Sequence, residues 1–255
     1  MTGTMNDLSR RGFVKQSLAA AVAPAMLTTN APSLESGAPL TVVCVGAHPD
    51  DPESGCGGTL ARYAAAGHAV TIVYLTRGER GIAGKSFDEA ARIRSAESEA
   101  ACRIIGAKPV FFGEIDGATE VTQAQVDAMR RLLAAQNPDV VFTHWPVDTH
   151  MDHQVASVLT IRSWMALHRP RLYFFEVNSG SQTEGFLPNT YVDIASVLEQ
   201  KKAALFAHVS QDGQGIWREH HEIMAQWRGR EVGVAAAEAF VHLNREDHPS
   251  NLPGL

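Results

Sequence analysis

The chain lacks the features that would place it in several large classes of protein. Acidic residues outnumber basic ones, 28 to 22, for a formal net charge of −6, so there is no basic excess to neutralise a nucleic-acid backbone. Three cysteines, Cys44, Cys56 and Cys102, are too few and of the wrong parity for a disulfide framework. Each reads instead as a small core or turn residue. The one weakly apolar stretch near the N-terminus, about 17–27, is too short for a stable membrane span. A dinucleotide site would need Gly-x-Gly-x-x-Gly directly after the first strand. That position reads Ala47-His48-Pro49-Asp50-Asp51, and Gly55, Gly57 and Gly58 come later with the wrong spacing. There is no internal repeat and no low-complexity tract.

What is present is enough chain for one α/β domain. Of 255 residues, 45% are apolar and 20% charged, which suits a globular protein with a full core. From Leu40 onward β-prone runs alternate with helical ones. Strands are predicted at 40–46, 69–75, 109–112, 140–143, 172–176 and 191–194. Helices are predicted at 59–66, closed by Gly67, and at 87–105, closed by Gly106. Further helices are expected at 122–135, with Thr122 as N-cap, and at 154–167 and 196–207. Alternation at this spacing implies right-handed crossovers and a Rossmann-like, doubly wound, mostly parallel sheet in a single domain. The polar tail after Arg245, with two prolines, reads as a loosely held end.

Residues 1–38 read as an address and 39–255 as the folded domain. Arg10-Arg11 is followed by Phe13, by the alanine-rich stretch and by small-residue exits at Ala23-Pro24-Ala25 and Thr29-Asn30-Ala31. This order resembles a twin-arginine export signal. It implies handling by machinery for folded proteins and a periplasmic or extracellular destination.

Two clusters carry the chemistry. His48-Pro49-Asp50-Asp51-Pro52-Glu53 follows the first strand, and the run from His144 through Asp148 and His150-Met151-Asp152-His153 follows the fourth. In a doubly wound sheet those strands flank the switch point, and ligands bind in the crevice beyond their carboxyl ends. Imidazoles and carboxylates far apart in sequence should therefore converge there. Mixed His and Asp ligands suit zinc or a similar divalent ion, and a catalytic site needs three protein ligands with one open position.

His-Pro-Asp-Asp after the first strand, with His-x-Asp-His after the fourth, resembles the PIG-L/LmbE-like family of metal-dependent N-deacetylases. Weaker matching stretches are Thr76–Gly81, Arg94–Glu97, Asp116-Gly117 and His208–Gln211. The resemblance implies one divalent metal, zinc or an alternative such as iron, held by His48, Asp51 and His153. It implies Asp50 as general base on the attacking water, and His150 as general acid or oxyanion partner. Asp152 becomes a carboxylate that orients a neighbouring imidazole. Arg94 and Asp116 match family positions that contact the sugar, and His208 is carried over as a further substrate-binding residue. Pro52 stands between the Asp pair and Glu53, where the shorter family form has no residue. The substrate implied is an N-acetylglucosamine-type sugar or glycoconjugate.

Several residues have plainer readings. His144 is expected at the site rim or in a structural role. His208 could cap its helix, and His220, His221, His242 and His248 show no ligand spacing and are expected at the surface. Trp145 could stack on a sugar or simply pack its loop. Arg94 and Glu97 could be an i,i+3 ion pair. Two other functions compete: an amidase acting on a non-sugar amide or thiol conjugate, and an idle, metal-loaded carbohydrate binder. Asp50 argues against the second, because a binder needs no base beside its metal.

Overall fold

Four-residue stretches such as Val42–Val45, with no solvent exposure at any position, demand cover on both faces of the strand that contains them. In the computed structural model, which describes residues 38–167, 170–243 and 252–254, this strand is β1 (Thr41–Gly46). It sits inside a seven-stranded sheet of order β3-β2-β1-β4-β5-β7-β6. The other parallel strands are β2 (Ala69–Tyr74), β3 (Lys108–Phe111), β4 (Val140–His144) and β5 (Arg171–Phe175). β7 (Ala237–His242) runs antiparallel between β5 and β6 (Thr190–Asp193). The predicted adjacency of the first and fourth strands is observed, with Val42 to Val45 in register with Val140 to Thr143.

Alternation along β1 divides the core. Val42 and Cys44 face one cluster, which is closed by α1 (Asp51–Ala65), α2 (Phe87–Ile105) and α5 (Leu198–Phe206). Val43 and Val45 face the other, closed by α3 (Gln123–Gln136) and α4 (Met151–Trp164). The expected caps are present. The Thr122 hydroxyl accepts from the Gln125 N–H in a capping box, and Gly106 closes α2 at φ 88°. Cys44, Cys56 and Cys102 are all buried free thiols, as expected. Arg10, Arg11 and the rest of the expected export signal lie outside the described residues, as does His248. No described helix is long and apolar enough to cross a membrane.

The structure corrects three expectations. First, α1 begins at Asp51, eight residues ahead of the predicted helix start at Thr59. It takes in Gly55, Gly57 and Gly58 and kinks at Cys56, whose φ is −145°. Those glycines are there for close approach. A Cβ on Gly55 would lie 2.4 Å from the Phe175 ring, and one on Gly58 would lie 2.8 Å from Ile194. Second, no seventh strand was expected, nor the short α6 (Gly213–Ile216), the wider-wound turn Trp217–His221 and α7 (Glu222–Val232). His221 and His242, expected at the surface, are buried in and beside these elements. Third, part of the tail is held: Leu252 is buried, and the Tyr63 hydroxyl donates to the Pro253 carbonyl at 3.1 Å.

The kink and the missed strand form one joint. Glu238, in the middle of β7, accepts from the Gly58 N–H at 2.9 Å and the Thr59 N–H at 2.7 Å, and Lys201 Nζ lies 2.5 Å from the same carboxylate. A charged residue in the strand and a glycine run in the helix both look like surface features. Here each completes the other inside the protein.

Candidate metal centre

Both clusters sit where β1 and β4 end. After β1 the chain turns sharply at Asp50, the N-cap of α1, which adopts φ 105°. This left-handed conformation costs an L-residue energy and recurs where side chains are held for a task. Asp51 then opens the helix, and Pro52 occupies its first turn, where no N–H donor is missed. The proline ring packs so closely on Gly46 that a Cβ there would lie 2.5 Å from its Cγ. Glu53 is consequently turned away from the crevice. It is fully buried, accepts from the Tyr74 hydroxyl at 2.5 Å and lies 3.4 Å from His208 Nε2.

After β4 the chain folds over the N-terminus of α4. Asp148 accepts from the His150 N–H at 2.8 Å, and His150 Nδ1 accepts from the Asp152 N–H at 3.2 Å. His150 is thus the N-cap, and its i,i+3 relation to His153 stacks the two rings 4.7 Å apart. Because Nδ1 accepts the hydrogen bond of the Asp152 N–H, the neutral ring carries its own proton on Nε2, where it can donate a hydrogen bond.

Asp51 Oδ2 is the point of convergence. It lies 3.2 Å from His48 Nδ1, 3.4 Å from His153 Nε2 and 3.5 Å from His144 Nε2. The far nitrogens of two of these rings meet carboxylates. His48 Nε2 is 3.1 Å from Asp152 and 3.3 Å from Asp116, and His153 Nδ1 is 3.1 Å from Asp148. A carboxylate behind each imidazole fixes the ring and directs the other nitrogen forward, as at metal centres. His144 differs. Its Nε2 accepts from the Ala47 N–H at 3.0 Å, so that lone pair is engaged. It lies in the heart of the cluster, 1% exposed, and not at the rim.

Three overlapping sets of donor atoms could hold a metal among the described residues: His48, His150 and His153; Asp51, His144 and His153; and His48, Asp116 and Asp152. None of the three is the expected trio of His48, Asp51 and His153, although His48 and His153 fall together in the first set and Asp51 and His153 in the second. The donor chemistry of that trio, two imidazoles and a carboxylate buried with oriented rings, fits a divalent ion.

Charge follows the geometry. Burial alone would raise the Asp51 carboxyl, but His153, His144 and His48 hold it well below the usual range. Burial pushes Asp50 up to about 6, opposed by Arg94 and reinforced by Asp51. Burial lowers His144 to about 4 and is the main cause of the lowered His150. Burial would also lower His153, but Asp51 and Asp148 carry it up to about 9. Asp152 is held low by His48, Thr119 and the Gly117 N–H, against the effect of burial.

The remaining expected residues are placed as follows. Arg94 is 3% exposed. Its guanidinium donates to the Pro49 carbonyl at 2.5 Å and to Asp50 Oδ2 at 3.2 Å. It is not paired with Glu97, which instead accepts from the backbone and hydroxyl of Ser210. Asp116 lines the crevice and accepts from the Arg80 N–H at 3.0 Å. His208 is fully buried behind Asp50, facing Glu53, and not on the crevice wall. Trp145 packs its loop, between Phe174 and Phe186, with its indole N–H on the Glu184 carbonyl. Three residues had no role assigned from sequence: Asp148 behind His153, and Arg80 and Gln182 on the crevice wall. Asp148 could have been found from its place just ahead of the His-x-Asp-His run.

Fold and donor clusters together define a Rossmann-like α/β protein with a crevice fitted to a divalent ion. Over residues 43–164 the chain matches the GlcNAc-PI de-N-acetylase family, PIG-L. It is 30% identical over 221 residues to a diacetylchitobiose deacetylase from Thermococcus kodakarensis, spanning 78% of this chain and 81% of that one. It is 27% identical over 226 residues to a 4-oxalmesaconate hydratase from Pseudomonas putida, spanning 79% and 86%. The crystal structure of a conserved protein from Thermus thermophilus superposes with a TM-score of 0.71 at 32% identity, covering 82% of this chain and 97% of that one. The chain belongs to the PIG-L family, and its donor clusters support metal-dependent hydrolase chemistry in general terms.

Proposed function

We propose that the protein is a metal-dependent N-deacetylase acting on an N-acetylglucosamine-type sugar or glycoconjugate, with His48, Asp51 and His153 holding one divalent ion, zinc first among the candidates. The observation that carries this reading is the division between neighbours on one turn. Asp51 sits among three imidazoles, while Asp50 is aimed separately and braced by Arg94 at 3.2 Å. Ligand and base are thus supplied by consecutive residues. A bound divalent ion would polarise the amide carbonyl and make water more acidic.

The chain's own groups do the rest. Asp50 accepts a proton from the attacking water. His150 offers its Nε2–H to the carbonyl oxygen as negative charge develops there, and the proton that Asp50 took from water passes to the leaving amine, which cannot depart as an anion. Asp152 and Asp148 keep the His48 and His153 rings in orientation. Asp116 and Arg80 face the crevice where sugar hydroxyls would need partners. His208 acts from behind Asp50, through the charge it shares with Glu53. The reading places the enzyme outside the cytoplasm, on the strength of the Arg10-Arg11 signal.

The test is metal analysis of the purified protein together with acetate release from a panel of N-acetylated sugars and non-sugar amides. Acetate from sugars with stoichiometric metal supports the reading. Metal without turnover points to the idle binder, and turnover on non-sugar amides alone to the amidase. Because one relative is a 4-oxalmesaconate hydratase, hydration of 4-oxalmesaconate should be measured beside them; activity there alone would refute the hydrolase.

A further inference from the structure

The crevice has two lobes that meet at Asp50, Asp51 and Gln182. The first, about 370 Å3, contains His48, His150 and His153 and is walled by Arg80, Asp116 and Gln211. The second, about 330 Å3, has no part in the reading above. Val177, Leu205 and Ile216 give it an apolar wall, and Ser54, Asn178, Ser181, His220 and His221 add polar groups. No lysine or arginine lines it, and burial keeps His221 neutral, down to about 3.

Amide hydrolysis fixes which half of a substrate goes where. Water oxygen bonds to the carbonyl carbon, the carbon–nitrogen bond breaks, and the amine leaves with a proton. The products are a carboxylic acid and an amine. Arg80, Asp116 and Gln211, the partners that the hydroxyls of a sugar amine need, line only the first lobe, as does His150. The amine half therefore lies in the first lobe. The carbonyl carbon must sit beside Asp50, where the two lobes join. The acyl chain, on the other side of that carbon, points into the second lobe. A single water-sized group such as the acetyl methyl needs only about 15 Å3 of such space, far less than the second lobe offers.

We propose that the second lobe is an acyl subsite, and that it selects amides whose acyl group is uncharged and several carbons longer than acetyl. The inference rests on the amide-hydrolase reading with its sugar amine, and departs from that reading in the acyl group, which is longer than acetyl. An acyl group bearing a carboxylate is disfavoured, because it would lie beside Asp50 and Asp51 in a lobe that offers no lysine or arginine to receive it.

The experiment compares N-acetyl-, N-butanoyl- and N-hexanoyl-glucosamine with the zinc-loaded full chain, reading free amine. The expected result is a kcat/KM for the hexanoyl substrate at least about tenfold above that for acetyl, the lower end for a single methylene in an apolar pocket. Ile216→Trp, which narrows the lobe, should cut the hexanoyl-to-acetyl ratio at least tenfold. Ser181→Trp, on a different segment, is the second such variant should the first fail to fold. Calorimetric binding of both amides to zinc-loaded Asp50→Asn gives a readout independent of turnover, with hexanoyl expected to bind the tighter. A preference for acetyl, or a ratio that neither variant moves, would overturn the proposal while leaving the hydrolase reading standing. Absence of turnover on every amide would count against the hydrolase itself, and the binding comparison would then decide the subsite alone.

Discussion

Asp50 and Asp51 show how one peptide step can separate two jobs. Their side chains diverge because Asp50 takes the left-handed conformation and Asp51 the first helical one. Asp50→Asn keeps the shape and the contact with Arg94 but removes the basic carboxylate. It should bind metal nearly as the wild type does and lose on the order of a hundred- to ten-thousand-fold in turnover. Parallel metal analysis and acetate release check this, and a metal-free mutant would make Asp50 a ligand. Asp148 acts at one remove, through His153. Asp148→Asn should weaken metal binding or activity by roughly 10–100-fold, the usual effect of losing a carboxylate behind a ligating imidazole. A chelator competition titration measures it, and unchanged affinity would leave Asp148 as no more than an N-cap partner.

Among the elements, α1 sets sequence propensity against packing. Alanine is favoured over glycine inside a helix by about 1 kcal/mol. At position 55 a Cβ would meet the Phe175 ring at 2.4 Å and the Glu176 carbonyl at 3.1 Å, and forcing extra volume into a packed core costs about 1–3 kcal/mol. Gly55→Ala should therefore lower the urea midpoint, whereas a stabilised mutant would show that the contact relaxes freely. The same contrast governs what could be read from sequence. β1, β2 and β4 were legible because strands covered on both faces are continuous apolar runs, and α3 because Thr122 and Pro138 punctuate it. Their order then located both donor clusters in one crevice. The start of α1 was hidden because its glycines answer to Phe175 and Ile194, distant partners that leave no local trace. β7 was hidden because Glu238 breaks its apolar pattern, and what neutralises that charge, Lys201 with the N–H groups of α1, lies 37 and about 180 positions away. The burial of His208 escaped for a similar reason, since it depends on which side of a turn faces the core.

Across the whole molecule, acid sensitivity should have a traceable source. His221 is buried and neutral, its basicity lowered to about 3 first by burial and then by Lys201 and His220. In an unfolded chain the same ring takes a proton near pH 6.5. Below that pH the unfolded state binds the extra proton, so the contribution of His221 to stability is complete above about 6.5 and declines as pH falls towards 3. His221→Asn should flatten the fall in urea midpoint between pH 6.5 and 4, and an unchanged slope would place the acid sensitivity elsewhere. Separately, replacing Arg10 and Arg11 by lysine should block export yet leave activity in the cytoplasm; normal export of the double mutant would remove the twin-arginine reading.

The position of β7 bears on synthesis. It is the last strand among the described residues but an interior strand of the sheet, so the order of manufacture and the order of assembly differ. β6 leaves the ribosome early and has no pairing edge until Ala237–His242 follows. A nascent chain broken off before Ala237 would carry both halves of the metal centre, yet leave the β5 edge bare and the Gly58 and Thr59 N–H groups without their acceptor. A molecule lacking this strand would show an unpaired β5 edge to any cellular system that inspects exposed edges.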